Sequence, residues 1–282
     1  MKGIILAGGN GTRLKPLTKA TSKQLLPIYD KPLIFYPLST LMELGIRDIA
    51  IIVKSSEKEK FFLLLSDGKR FGINITYLIQ DNPNGLAEAF IIGEEFIGKS
   101  NVTLILGDNI FYGEALKQSL SSKFSEGANI LCYKVNDPER YGVAKISGSK
   151  VVEIVEKPKE FVSDYAVTGI YVYDNSVIAK SKSLLPSARG ELEITDLNNL
   201  YIEEGNLKGI FLDSEMIWMD TGTFNSLHDA SSLIKALQSR TGHLIGSPEL
   251  VSYKNNWIKK NELSEALNLE ITYDASVLSS LD

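Results

Sequence analysis

Lys2-Gly3-Ile4-Ile5-Leu6-Ala7-Gly8-Gly9-Asn10-Gly11-Thr12-Arg13-Leu14 sets a short apolar run directly before a glycine-rich turn. A run apolar at every position reads as a strand buried on both faces, as in a parallel sheet covered by helices. Glycines after such a strand let the backbone approach a ligand, and consecutive N–H groups there form an anion-binding concavity. No third glycine stands in register for a dinucleotide fingerprint, and no Gly-Lys-Ser/Thr follows for the common NTPase loop. The glycines alone would suit a plain tight turn. Arg13 shifts the balance, because a guanidinium suits bidentate phosphate binding. Ten residues on, Ser22-Lys23-Gln24-Leu25-Leu26-Pro27 brings a second cation close behind the loop.

Working outward, short branched-rich runs at 3–7, 49–53, 75–79, 102–106 and 130–135 read as strands. Between them 33–44, 57–65, 86–97 and 115–126 read as helices; Leu33, Tyr36, Pro37, Leu41 and Leu44 recur at three and four, and Gly45 follows as a stop. Strand–helix alternation of this kind predicts right-handed βαβ units, hence an α/β fold with a Rossmann-like, mainly parallel sheet flanked by helices. From about residue 141 the pattern changes: 143–146, 151–155 and 167–172 are strands with few helices between them, and Gly148-Ser149 looks like a hairpin turn. A helix is expected over 193–204, a strand over 207–212 and a loop over 218–222. The segment 224–282 reads as a helical C-terminal appendage, with Leu227, Ala230, Leu233, Ile234 and Leu237 on one face. The expected organisation is a core over 1–223, divided near residue 140, and an appendage that does not fold alone.

Composition narrows the function classes. One cysteine (Cys132) among 282 residues forms no intrachain disulfide, which points to a reducing compartment. Two histidines and that cysteine cannot build a usual zinc site. Lys+Arg 30 against Asp+Glu 35, net charge −5, lacks the basic footprint of a nucleic-acid binder. Hydrophobic content of 44% with 23% charged residues is that of a globular protein. Every apolar run is far shorter than the roughly 20 residues of a membrane helix. The first of them is also too short for a signal-peptide core, so a cytoplasmic protein without a membrane partner is expected.

Two aspartates carry the next step. Asp108, in Leu106-Gly107-Asp108, directly follows a strand, at the sheet end where open α/β folds bind ligands. Asp220 lies in Trp218-Met219-Asp220-Thr221-Gly222. Taken singly, each suits a turn or a helix cap better. Together with phosphate oxygens they form the hard oxygen site that magnesium prefers.

The string Gly-Gly-x-Gly-Thr-Arg-Leu followed by Ser-Lys-Gln-Leu-Leu-Pro resembles the signature of sugar-phosphate nucleotidylyltransferases. Over residues 1–240 the likeness is to its thymidylyl-transferring branch, carried by Lys31-Pro32, Tyr36-Pro37-Leu38-Ser39-Thr40-Leu41-Met42, Gly107-Asp108-Asn109-Ile110-Phe111-Tyr112-Gly113 and Asn136-Asp137-Pro138-Glu139-Arg140-Tyr141-Gly142. Glu156-Lys157-Pro158, Tyr165-Ala166-Val167-Thr168-Gly169, Ser187-Ala188-Arg189-Gly190-Glu191-Leu192-Glu193-Ile194-Thr195-Asp196 and Trp218–Thr223 continue it in the same order. The resemblance implies in-line attack of glucose 1-phosphate on the α-phosphate of dTTP, giving dTDP-glucose and pyrophosphate, a first step toward dTDP-deoxysugars such as dTDP-rhamnose. It makes Asp108 and Asp220 ligands of Mg2+. It implies a nucleotide site of Leu6, Gly8, Gly9, Gly11, Thr12, Arg13, Gln24, Gln80, Gly85 and Asp108, with Gln80 pairing the base edge and Gly85 admitting the base. It implies a sugar-phosphate site of Asn109, Tyr141, Gly142, Glu156, Lys157, Val167 and Trp218, so that the two parts of the core bind nucleotide (1–140) and sugar phosphate (141–223).

In that reading Arg13, Lys23 and Lys157 neutralise the phosphates. A phosphate monoester is already a nucleophile at neutral pH, so no general base is needed, in keeping with the scarcity of histidine. Tyr141 and Trp218 suit core packing as well as a pocket wall, Lys157 on its own suits a solvated hairpin, and Arg189 and Glu191 suit a structural role. The family suggests a homotetramer, a dimer of dimers. Its second, regulatory nucleotide site near the C-terminal helices finds weaker support: Leu212-Asp213-Ser214-Glu215-Met216 carries no arginine, while Phe111-Tyr112-Gly113 is kept. Two alternatives stay open at this point: a UTP-using or dual-specificity enzyme, since thymine and uracil differ by a methyl worth about 1–3 kcal/mol, and a nucleotide-sugar sensor without turnover.

Overall fold

The structure, a computed structural model, describes residues 1–113, 116, 120, 124, 126–213 and 215–264. Strand β1 (Lys2–Leu6) leads through the glycine loop to a small hairpin of β2 (Pro27–Ile28) and β3 (Lys31–Pro32). Helix α1 (Phe35–Glu43), β4 (Asp48–Val53), α2 (Lys58–Leu65), β5 (Asn74–Ile79), α3 (Glu88–Ile92), α4 (Glu94–Ile97) and β6 (Val102–Leu106) follow in alternation. β1 is central, parallel to β4 on one side and β6 on the other, and β4 is parallel to β5.

Alternate residues of these strands enter different cores, which is why the runs are apolar throughout. Ile5, Ile49, Ile51 and Val53 pack under Leu38, Leu41 and Met42 of α1. Ile4, Ala50, Ile52 and Leu104 pack on the other face with Phe90 and Tyr173. The expected helix over 86–97 is broken into α3 and α4 at Gly93. A Cβ there would lie 2.9 Å from Ala89 O and 3.0 Å from Ile4 Cδ1, so the glycine lets the helix backbone sit against β1.

β7 (Asn109–Tyr112), β8 (Ala128–Lys134), β9 (Gly142–Ser147), β10 (Lys150–Glu156) and β11 (Tyr165–Tyr173) come next. β11 runs antiparallel to β6, β8 and β9, and so joins the later strands to the parallel half in one nine-stranded sheet. The turn between β9 and β10 falls at Gly148-Ser149, as read from the sequence. The sheet is thus mixed, parallel from β6 to β5 and antiparallel around β11. The helix expected over 115–126 lies largely outside the described residues, as does the chain beyond 264.

Helices α5 (Val177–Ser183) and α6 (Ile194–Glu203) lead to β12 (Leu207–Phe211), parallel to β8. The loop expected over 218–222 is instead led by a strand, β13 (Ile217–Asp220), antiparallel to β7. Four residues are too few to show an alternating pattern, and pairing with β7 decides the conformation. Helix α7 (Phe224–Thr241) starts at a capping box between Thr223 and Ser226, which contributes about 1 kcal/mol. Its Ala230 and Ile234 are buried against Ile28, Leu33, Tyr36 and Ile110, and α8 (Pro248–Lys254) packs on α1. No helix among the described residues is long and apolar enough to cross a membrane.

Candidate active site

The β7–β13 ribbon brings the two aspartates together. Asp220 stands opposite Asn109 in the ladder, and Thr221 donates from both its N (3.1 Å) and Oγ1 (2.8 Å) to the carbonyl of Asp108. Asn109 Nδ2 donates to Asp108 Oδ1 at 3.0 Å, while Asn109 Oδ1 accepts from Trp218 Nε1 at 2.6 Å. Trp218 therefore fixes the Asn109 amide, and the amide fixes the Asp108 carboxylate. Gly169 makes the room, since a Cβ there would fall 2.4 Å from Asn109 Oδ1. We expect Gly169→Ala to cost about 1–3 kcal/mol in urea unfolding through overpacking, with a fall in turnover as Asn109 is pushed off Asp108. A variant with wild-type stability and rate would remove Asn109 from this chain of contacts.

Charge is concentrated here. Lys23 Nζ lies 2.5 Å from Asp108 Oδ2, with side-chain exposures of 8% and 28%. Burial pushes the Asp108 carboxyl up, but the Lys23 ammonium and the hydrogen bonds from Lys23 and Asn109 outweigh it and hold it below its ordinary value. Asp220 goes the other way: burial and the Asp108 charge raise it, against the opposing pull of Lys23, Arg13 and Arg140. Arg140 Nη2 is 3.5 Å from Asp220 Oδ2 and its Nη1 is 2.6 Å from Asp137 Oδ2. Arg13 stands exposed in the turn Thr12–Leu14 without an ion pair among the described residues. Two repelling carboxylates offering only hard oxygens are what a divalent cation relieves. No group of three His, Cys, Asp or Glu residues gathers among the described residues.

A cavity of about 480 Å³ opens beside this pair. Arg13, Asp108, Asn109, Tyr141, Gly142, Glu156, Lys157, Val167, Trp218 and Asp220, all singled out from sequence, line it together. Glu156 is held by Thr195 Oγ1 (2.7 Å to Oε2) and Arg189 Nη2 (3.1 Å to Oε1), and Arg189 also binds Glu193 at 2.8 Å. Arg189 thus organises the cavity's acidic wall. Lys157 has a left-handed backbone, φ 44°, with its N–H on Tyr141 O at 2.9 Å. A non-glycine residue in that region costs roughly 1–2 kcal/mol, and here the turn sets the lysine at the cavity edge. Tyr141 tilts against Trp218 with centroids 5.2 Å apart, so both aromatics serve as packing and as wall.

The other residues expected at a nucleotide site, Leu6, Gly8, Gly9, Gly11, Thr12, Gln24, Gln80 and Gly85, do not line this cavity; Leu6 to Thr12 stand at and beyond the carboxyl end of β1, Gln24 in the Lys23–Leu25 turn, and Gln80 and Gly85 beyond that of β5. Leu6 and Gln24 are buried, Gln24 accepting from Ser22 Oγ at 2.6 Å. Gly8 lies against Gln80: a Cβ there would be 3.2 Å from Gln80 Oε1. Gly9 has open space around it, and Gly11, at φ +55°, precedes the Thr12–Leu14 turn. Gly85, at φ +112°, has a reason within the fold to be glycine beside the base contact expected of it. A Cβ would fall 2.3 Å from Leu192 O, so the protein's own backbone demands it. Arg140, Thr195 and Glu193 were not picked out from sequence as site residues, although all three lie inside the strings that carry the resemblance. Their position within those strings was the available signal.

The chain is similar to several known proteins. Residues 2–236 match the profile of the family described as Nucleotidyl transferase. A glucose-1-phosphate thymidylyltransferase of Neisseria meningitidis is 51% identical over 268 residues, 94% of this chain and 93% of that protein. One of Mycolicibacterium smegmatis is 48% identical, covering 94% and 92%. A crystal structure from Bacillus anthracis, assigned as a glucose-1-phosphate thymidylyltransferase and solved with a sucrose, superposes with TM-score 0.76 at 46% identity over 83% of this chain and 94% of that one. A UDP-glucose pyrophosphorylase with UDP-glucose superposes with TM-score 0.74 at 26% identity, covering 84% and 98%.

Proposed function

This chain belongs to the nucleotidyl transferase family, and we propose that within it the protein joins glucose 1-phosphate to the thymidylyl group of dTTP, giving dTDP-glucose and pyrophosphate. The observation that carries this reading is one cavity lined by a carboxylate pair, Asp108 and Asp220, and by the cations Arg13 and Lys157, with Lys23 paired to Asp108 behind it and the Glu156–Thr195–Arg189 cluster along its other wall. The sugar phosphate's own oxygen is the nucleophile, so the protein must align and neutralise. Lys157 holds the sugar phosphate at the cavity edge. Arg13, exposed at the turn and without an ion pair among the described residues, is free to meet the leaving pyrophosphate. Lys23 stands behind Asp108 and adds positive charge where the phosphates meet. Glu156, its rotamer fixed by two donors, accepts from sugar hydroxyls, and the Gly142 and Val167 backbone completes that wall.

Asp108 and Asp220 would hold a divalent cation, Mg2+ in our reading, which supplies charge neutralisation for the phosphates when bound. A uracil-using enzyme has less support, because relatives at 48–51% identity are named for thymidylyl transfer and the UDP-glucose pyrophosphorylase stands at 26%. A sensor without turnover would not need Arg13, Lys23, Asp108 and Asp220 all in place. The test is pyrophosphate release from purified protein with glucose 1-phosphate, magnesium and each nucleoside triphosphate in turn. Fastest release with dTTP is expected; none with dTTP or UTP under any divalent metal would overturn the proposal. A tetramer of two dimers in the cytoplasm belongs to the same proposal, and light scattering of the purified protein checks the assembly.

A further inference from the structure

Gln80 follows β5 and is only 6% exposed. Its Nε2 donates to Glu88 Oε2 at 2.7 Å, and the other Glu88 oxygen accepts from Asn84 Nδ2 at 2.8 Å. A carboxylate offers acceptors only, so it dictates which way round the neighbouring amide stands. The ordinary ambiguity of a glutamine amide is therefore settled by chemistry: the amino group faces Glu88 and the carbonyl faces away. That carbonyl oxygen lies on the side of the glycine loop, 3.2 Å from where a Gly8 Cβ would be, and accepts no hydrogen bond among the described residues.

We propose that Glu88 is a positioning residue for nucleobase choice: it holds Gln80 with its carbonyl oxygen toward the base, which selects a pyrimidine imide and rejects cytosine. The inference rests on Gln80 being the residue that meets the base edge. Thymine and uracil present an N3–H donor to that oxygen, whereas cytosine presents an N3 acceptor, and two acceptors facing each other leave both unpaired. Glu88 does not separate thymine from uracil, because their N3–H edges are the same. An amide released from Glu88 keeps only the long contact of its Nε2 to the Gly85 carbonyl at 3.4 Å, too weak to hold it against turning over, offering its amino group to cytosine and serving both bases.

The experiment compares kcat/KM for dTTP, dUTP and dCTP, each with glucose 1-phosphate and magnesium, in the wild type, Glu88→Leu, Glu88→Gln and Gln80→Leu. A ratio of two nucleotides on one preparation is independent of the folded fraction, so partial misfolding of a variant does not blur it. Glu88→Leu is expected to lower the dTTP/dCTP ratio about tenfold or more, the scale of leaving one buried polar group mispaired, with dTTP/dUTP unchanged. Glu88→Gln, whose amide oxygen still accepts from Gln80, is expected to keep most of the preference. A Glu88→Leu enzyme with the wild-type dTTP/dCTP ratio, or one that loosens dTTP/dUTP equally, overturns the proposal. If Gln80→Leu also leaves the ratio intact, the fault lies in the base-binding reading of Gln80; if Gln80→Leu collapses it, only the role of Glu88 is lost.

Discussion

Asp220→Asn is expected to lower turnover by roughly three orders of magnitude, the several kcal/mol that a catalytic cation supplies, while raising the midpoint of thermal unfolding of the metal-free protein. The two effects have one cause. Asp220 sits 17% exposed beside Asp108, and burial and that neighbouring charge push its carboxyl above the ordinary value. In a group raised in this way, the ionised form destabilises the fold at every pH above its folded pKa. The penalty fades as pH falls toward the usual carboxylate range, where the group is neutral in both states. Asparagine keeps the shape and removes the penalty, so the stability gain should be largest near neutrality and vanish in acid. Magnesium titration provides the second readout: the wild type gains stability on adding the ion, and the variant gains little. A variant that is as active as wild type, or no more stable without metal, would detach Asp220 from the role given to it.

Asp108→Asn makes the contrast. It too removes a carboxylate oxygen from the pair, but it also strips the buried Lys23 of its partner at 2.5 Å. The same loss of turnover should come with lower stability, so the two aspartates are alike in chemistry and opposite in their effect on the metal-free fold. Circular dichroism melts of the two variants in chelator separate them.

The parallel half of the sheet was legible because its strands are buried on both faces and must be apolar throughout, as Ile4, Ile5, Ile51 and Ile52 show. β13 was not legible, because Trp218 and Asp220 take their conformation from β7, a hundred residues earlier in the chain. The break at Gly93 in the helix expected over 86–97 was not legible either, because it takes Ile4 across the interface to explain it. The site divides in the same way. Asp108, Lys157 and Glu156 sit in short strings that the family resemblance, rather than their residue types alone, tied to phosphate and sugar chemistry. Arg140 on Asp220, Thr195 on Glu156 and Glu88 on Gln80 act through contacts that span from 8 to 80 positions, and pairings of that kind leave no local periodicity to read. Gly85 was read as a glycine that admits the base, while its contact with the Leu192 backbone is one the sequence does not place beside it.

Lys23→Met is expected to carry the largest effect on stability in the site. Lys23 is 8% exposed and Asp108 28%, and breaking a buried pair from one side costs about 3–5 kcal/mol because the other charge remains. Methionine fills most of the lysine stem, so the loss measures the charge rather than a cavity. Three readouts follow from the same geometry. In urea unfolding with chelator the variant should lose that amount near neutral pH. The deficit should shrink as pH falls through the lowered Asp108 pKa, since the pair's contribution is present above the unfolded value and lost once the folded carboxylate takes a proton. Saturating magnesium should restore part of the stability, because a dication beside Asp108 does for that carboxylate what the ammonium did. Turnover should nevertheless stay about 10²–10³-fold below wild type, the usual cost of removing a fixed charge from a developing anion. The metal replaces Lys23 as Asp108's partner but not as a donor to the phosphates. A Lys23→Met protein whose stability in chelator equals that of the wild type would mean that Asp108 is solvated well enough to stand alone, and the electrostatic account of the carboxylate pair would have to be abandoned.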